Sequence, residues 1–111
     1  MDSRERQDWL LIASIAGLAS RHAATRGGLT EEARAAAVAE LAELAAGRRD
    51  LLAQHAGMTV GFNEGDMDED RHVLAAQLCI EAGADTSQVQ RWIDAGRRAA
   101  EIAAMRRPSG R

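Results

Sequence analysis

The stretch Leu78-Cys79-Ile80-Glu81-Ala82-Gly83-Ala84-Asp85-Thr86-Ser87-Gln88-Val89-Gln90-Arg91-Trp92 holds one helix end and one helix start. Gly83 accepts the left-handed backbone at which helices commonly stop. Asp85, with Gln88 three residues on, has the spacing of a capping box that starts the next. Apolar residues recur at helical intervals on both sides: Val73, Leu74, Leu78 and Ile80 before the glycine, Val89, Trp92, Ile93 and Ile102 after it. The unit reads as two helices joined by a tight turn, and it sets an all-α fold for the chain around it.

Working upstream, Asp66 and Glu69 repeat the capping-box spacing and predict a helix from Asp66 to Ala82. Before it, the glycines and β-favouring residues of Ala56–Gly65 predict a connection in which Val60 and Phe62 plug the core. Thr30 followed by Glu31 and Glu32 predicts a start with acids where the helix dipole favours them. The run from there to Ala56 reads as one long helix in preference to two pieces broken at Gly47 and restarted at Asp50. Asp2 with Glu5 opens a first helix at Asp2 or Ser3, and Gly27-Gly28 ends it. Downstream the last helix reaches about Met105, followed by a disordered tail at 108–111. Residues 1–107 thus form a single helical domain, a four-helix antiparallel bundle that becomes a five-helix one if Gly47 breaks the second helix.

A chain of 111 residues fits one domain. Apolar residues are 46% of it, yet aromatics are only 3% and tyrosine is absent, so much of the apolar content is alanine. Alanine favours helix but buries little area. The core therefore rests on a few large side chains: Trp9, Ile12, Ile15, Leu18, Leu41, Leu44, Leu51, Leu52, Phe62, Leu74, Leu78, Val89, Trp92 and Ile102.

All 14 basic residues are arginine and the net charge is −3, which argues against indiscriminate coating of nucleic acid. The charge is unevenly spread. Residues 31–70 carry three arginines against ten acids, whereas residues 71–111 carry seven against four. A lone Cys79 precludes an intrachain disulfide and fits a reducing cytoplasm. No signal peptide and no apolar stretch of membrane-spanning length is apparent, so a cytoplasmic protein without membrane contact is expected.

Chemistry-bearing patterns are sparse. Asp66, Asp68 and Asp70 alternate as in a calcium loop, but Arg71 stands where the sharp turn needs glycine and Gln77 where a bidentate glutamate is needed. His22, His55 and His72 lack helix-borne ligand spacing. Cys79 lies among Leu78 and Ile80, where a lone cysteine is usually a small core hydrophobe. Gly57, Gly61 and Gly65 are followed by no Gly-Lys-Ser/Thr of a phosphate loop. No catalytic residue, metal site or cofactor is expected, and the chain reads as a non-enzyme.

A helix-turn-helix needs a small residue where the second helix crosses the first, a glycine at the turn, a cap just beyond, and apolar residues that lock the second helix. Cys79, Gly83, Asp85, Val89 and Trp92 meet these needs in order. With the continuation Arg91-Trp92-Ile93-Asp94-Ala95-Gly96-Arg97, the segment resembles the recognition helix and following glycine of MerR-type and excisionase-type DNA-binding domains. That resemblance implies that Thr86, Ser87, Gln88, Gln90 and Arg91 face the major groove while Arg97 and Arg98 meet phosphates, as in a small DNA-binding regulator of transcription using the 73–105 helix pair. The resemblance departs at residues 97–105, which read as further helix where those domains have a β-hairpin wing.

The plainer alternative is an αα-hairpin whose Gly83 and Asp85 are a C-cap and an N-cap, in a module that docks another protein or a second copy of itself as a homodimer through an Ala-rich face. Taken whole, Leu51-Leu52-Ala53, Gly61-Phe62, Glu64-Gly65, Ala82-Gly83-Ala84-Asp85 and Trp92-Ile93 form a framework that resembles small accessory proteins of actinomycete plasmids and integrating elements. This implies a bacterial cytoplasmic protein and no particular reaction.

Overall fold

The computed structural model describes residues 3–26, 28–44 and 46–106, which form five helices and, among the described residues, no strand. They are α1 (Ser3–Arg26), α2 (Glu31–Leu44), α3 (Arg49–Phe62), α4 (Glu69–Glu81) and α5 (Thr86–Arg106). Asp2 of the first expected capping box and the 108–111 tail lie outside the described residues.

The all-α bundle expected from the sequence is present in its five-helix form, with two departures in the middle of the chain. The favoured continuous helix over residues 30–56 is broken: Gly47 takes φ +75°, a left-handed turn that separates α2 from α3. The expected connection at Ala56–Gly65 is mostly helix, because α3 continues to Phe62 and the link to α4 begins only at Asn63.

The reason lies in α5. A Cβ at Gly57 would stand 2.5 Å from Trp92 Cβ and 2.6 Å from the Val89 carbonyl oxygen. One at Gly61 would fall on the Ile93 carbonyl oxygen, and one at Gly96 would be 2.6 Å from the Met58 carbonyl oxygen. Three helical glycines therefore let two backbones touch over two turns. The low helix propensity of Gly57 and Gly61, about 1 kcal/mol each relative to alanine, is offset by this close packing. Residue numbers rise together along the contact, Gly57 against Val89 and Trp92 and Gly61 against Ile93 and Arg97, so α3 and α5 run in the same direction. Helix α4 is the return between them.

The caps follow the sequence in part. Thr30 Oγ1 accepts from the Ala33 N–H at 3.1 Å and starts α2. Asp85 caps α5, Oδ1 accepting from the Ser87 N–H at 3.2 Å and its hydroxyl at 2.6 Å, and Oδ2 from Gln88 Nε2 at 3.0 Å. The Asp66–Glu69 box is not formed as predicted. Helix α4 starts at Glu69, whose Oε2 accepts from the Gly65 N–H at 3.1 Å, while Asp66 contributes its backbone carbonyl. Gly83, with φ +114°, ends the α4 turn, and Arg49 at the head of α3 pins that turn through Nε to the Gly83 carbonyl at 2.8 Å.

Ile12, Leu41, Leu52, Leu78 and Cys79 are fully buried at the centre. Three expected core residues are not: Leu18 is 58%, Phe62 46% and Ile102 42% exposed. Over residues 9–19 helix α1 is apolar nearly all round, so spacing alone does not choose its inner face; Ile12, Ala16 and Ser20, four apart, point inward and leave Leu18 outside.

Gly61→Ala is expected to lower stability by about 3 kcal/mol through overpacking against the Ile93 backbone. Gly17→Ala in α1, where an added Cβ meets nothing within 4 Å, is expected to raise it by about 0.5–1 kcal/mol. Urea unfolding of the two variants reads both.

Candidate functional site

The N-terminal half of α5 carries the residues singled out for DNA contact, and α3 decides how they are displayed. Val89, Trp92, Ile93 and Gly96 turn toward α3, which leaves the opposite arc to solvent. Thr86, Ser87, Gln90, Arg91, Arg97 and Arg98 are exposed there, while Gln88 is half-buried and held by Asp85. Ser87, Arg91, Asp94 and Arg98 lie along the middle of the arc, and Thr86, Gln90 and Arg97 recur at helical spacing along one edge of it. The seven residues thus share one helix, but only six of them are open to solvent.

The arc is not uniformly basic. Asp94 sits within it, 3.1 Å from Gln90 Nε2 and 3.3 Å from Arg97 Nη1. Arg97 also forks onto Glu64 at 2.7 and 2.8 Å, and this hydrogen-bonded pair holds the Glu64 carboxyl below its usual range. Asp85 is likewise held low, chiefly by the Ser87 hydroxyl, and stays ionised at the head of the helix. Arg91 lies 5.5 Å over the Trp92 ring. Arg98 makes no ion pair with any described residue. The partners Glu64 and Asp94 were missed from the sequence. Asp94 was accessible as an i,i+3 neighbour of Arg97 and an i,i+4 neighbour of Gln90, whereas Glu64 is 33 residues from Arg97 and only the α3–α5 contact brings it near.

The helices of the resembling pair, α4 and α5, both pack on α3, and Cys79 meets α3 in place of α5. Its Sγ is 3.9 Å from Nδ1 of His55, which in turn lies under Trp9 with ring centroids 4.8 Å apart. Burial pushes the Cys79 thiol up to about 12 and His55 down to about 4. Both groups are neutral near pH 7, so this pair offers neither a thiolate nor an imidazolium for nucleophilic chemistry. Among the described residues no three His, Cys, Asp or Glu side chains converge as metal ligands, and no helix is long and apolar enough to cross a membrane.

Comparison with family models, with curated proteins and with solved structures finds no match for this chain.

The His55 environment has a stability consequence. An unfolded histidine takes up a proton near pH 6.5, whereas folded His55 resists it until about pH 4. Between those values the unfolded state binds more protons, so stability rises with pH and is lost on acidification through the window. The full effect is about 3 kcal/mol. Denaturation followed from pH 7 to pH 4 is expected to show this slope, and His55→Gln to flatten it.

Proposed function

We propose that this protein is a small non-enzymatic DNA-binding protein of regulatory type that presents the outward arc of α5 to duplex DNA. The observation that carries the reading is the common exposure of Thr86, Ser87, Gln90, Arg91, Arg97 and Arg98 on a helix whose other side is fixed by backbone contact with α3. Short polar residues at the head of the helix and arginines further along suit base edges and phosphates respectively. A rigidly seated helix also loses little conformational freedom on binding.

The ion pairs tune this surface. Asp94 and Glu64 neutralise Arg97, so Arg91 and Arg98 carry most of the phosphate attraction. Affinity for randomised duplexes should fall steeply with salt, and Arg91→Ala and Arg98→Ala should each weaken it and reduce the salt slope by about one. Glu64→Gln, which releases Arg97, should strengthen binding several-fold. No binding at about 50 mM salt, or binding indifferent to all three substitutions, refutes the reading.

A second reading, a module that docks another protein or a second copy of this chain, is favoured by one observation. Leu10, Leu11 and Leu18 are 60%, 48% and 58% exposed along one side of α1. Sedimentation equilibrium checks the self-associating version: a dimer lost in Leu11→Glu and Leu18→Glu supports it, and a monomer at all concentrations removes it.

A further inference from the structure

Helix interiors avoid glycine unless something requires it, since it is a much poorer helix former than alanine. Gly57, Gly61 and Gly96 have their reason in the α3–α5 contact. Gly17, in the middle of α1, has none of that kind: a Cβ there meets no atom within 4 Å. It borders a cleft of about 270 Å³ between α1, α3 and α4.

The walls of that cleft are unlike the rest of the molecule. Ser20 and Arg21 come from α1, His55 and Thr59 from α3, and Arg71 and His72 from α4. In a chain with 17 acidic residues, no carboxylate of the described residues lines it. His55 is only 5% exposed, and its single polar contact among the described residues is the weak one from Nδ1 to Cys79 Sγ. The other ring nitrogen is not sealed off from solvent without a partner, and the ring forms part of the cleft wall. The Ser20 hydroxyl, 3% exposed, donates to the Gly17 carbonyl at 3.0 Å and keeps its lone pairs. Arg71 is held by Asp68 at 3.2 Å, which steadies one guanidinium nitrogen and leaves other N–H groups for a ligand.

We infer that the α1–α3–α4 cleft binds a small organic anion, its carboxylate or phosphate oxygens met by Arg71 and His72 and its neutral polar end by His55, Thr59 and Ser20. The donor-rich, carboxylate-free walls select for negative charge, since guanidinium forks match carboxylate and phosphate oxygens. The size excludes large ligands, because pockets for drug-sized molecules begin at about 300 Å³. The absent side chain at Gly17 keeps the space open, so the cost to helix propensity has a use. The site is separate from the outward arc of α5 and stands whether or not that arc binds DNA.

The test uses the full chain with sodium phosphate, sodium succinate and sodium chloride at matched ionic strength, followed by thermal unfolding and by amide chemical shifts. A saturable rise in Tm with phosphate or succinate over chloride, with shifts centred on Gly17, Ser20, Thr59 and His72, is expected; which of the two acts identifies the oxyanion. Gly17→Leu fills the cleft while improving helix propensity, and it should abolish the response with the fold intact. Arg71→Ala should weaken it at least ten-fold. The inference is overturned if neither anion gives a saturable effect up to about 10 mM, a concentration that detects even millimolar affinities. An equal response in Gly17→Leu overturns it too.

Discussion

The backbone contact between α3 and α5 is the constraint on which the rest of this fold depends. An alanine-rich chain with few aromatics cannot fill wide spaces between helices, so it must bring the helices close. Gly57, Gly61 and Gly96 do this where larger side chains would hold the axes apart. The contact dictates more than packing. It makes α4 a return helix, seats the turn at Gly83 against Arg49, and turns the polar residues of α5 outward together. Trp92 is wedged in the same contact, and its indole N–H finds no acceptor among the described residues. That unsatisfied donor is a cost that the surrounding dispersion contacts must exceed.

The legible parts of the fold were those written in local chemistry. Thr30 and Asp85 signal helix starts because a side-chain oxygen meets an N–H two or three residues away, and both form those bonds. Gly83 signals a stop because the backbone there takes positive φ, and it does. The misread parts were those decided by distant partners. Gly57 and Gly61 look like breakers in a local window, and only Val89, Trp92 and Ile93 explain why they belong inside a helix. Gly47 and Gly61 are the same residue type with opposite roles, one a turn at φ +75° and one a contact surface. Leu18 was misplaced for a related reason, since a helix with alanine on several sides carries little record of which side is inside.

The outward arc of α5 shows the same division. That Thr86, Gln90 and Arg97 share a side follows from helical spacing, and their shared exposure matches it. That Arg97 is held by Glu64 depends on two segments 33 residues apart meeting at the end of α3. A count of arginines in residues 71–111 therefore overstates the free positive charge of this surface. The acidic middle of the chain does not lie apart from the basic C-terminal third but reaches across to neutralise part of it, as Arg34 with Glu81 also shows in the reverse direction. Exposed pairs of this kind contribute little to stability. Their larger effect is to set which cations remain available.

The glycines separate structural necessity from open space. Where a glycine meets a neighbouring backbone, its place is explained by packing and no function need be sought. Where it meets nothing, as at Gly17, packing supplies no reason, and the surrounding chemistry becomes informative. Around Gly17 that chemistry is donor-rich, free of carboxylates among the described residues, and includes a histidine that burial keeps neutral. The same burial that makes His55 unfit as a base makes it a fixed hydrogen-bonding wall, oriented by Trp9 and Cys79. A core of this size can spare few positions for polar groups, so polar residues gathered from three helices around an empty helix position are more simply explained by a ligand than by stability.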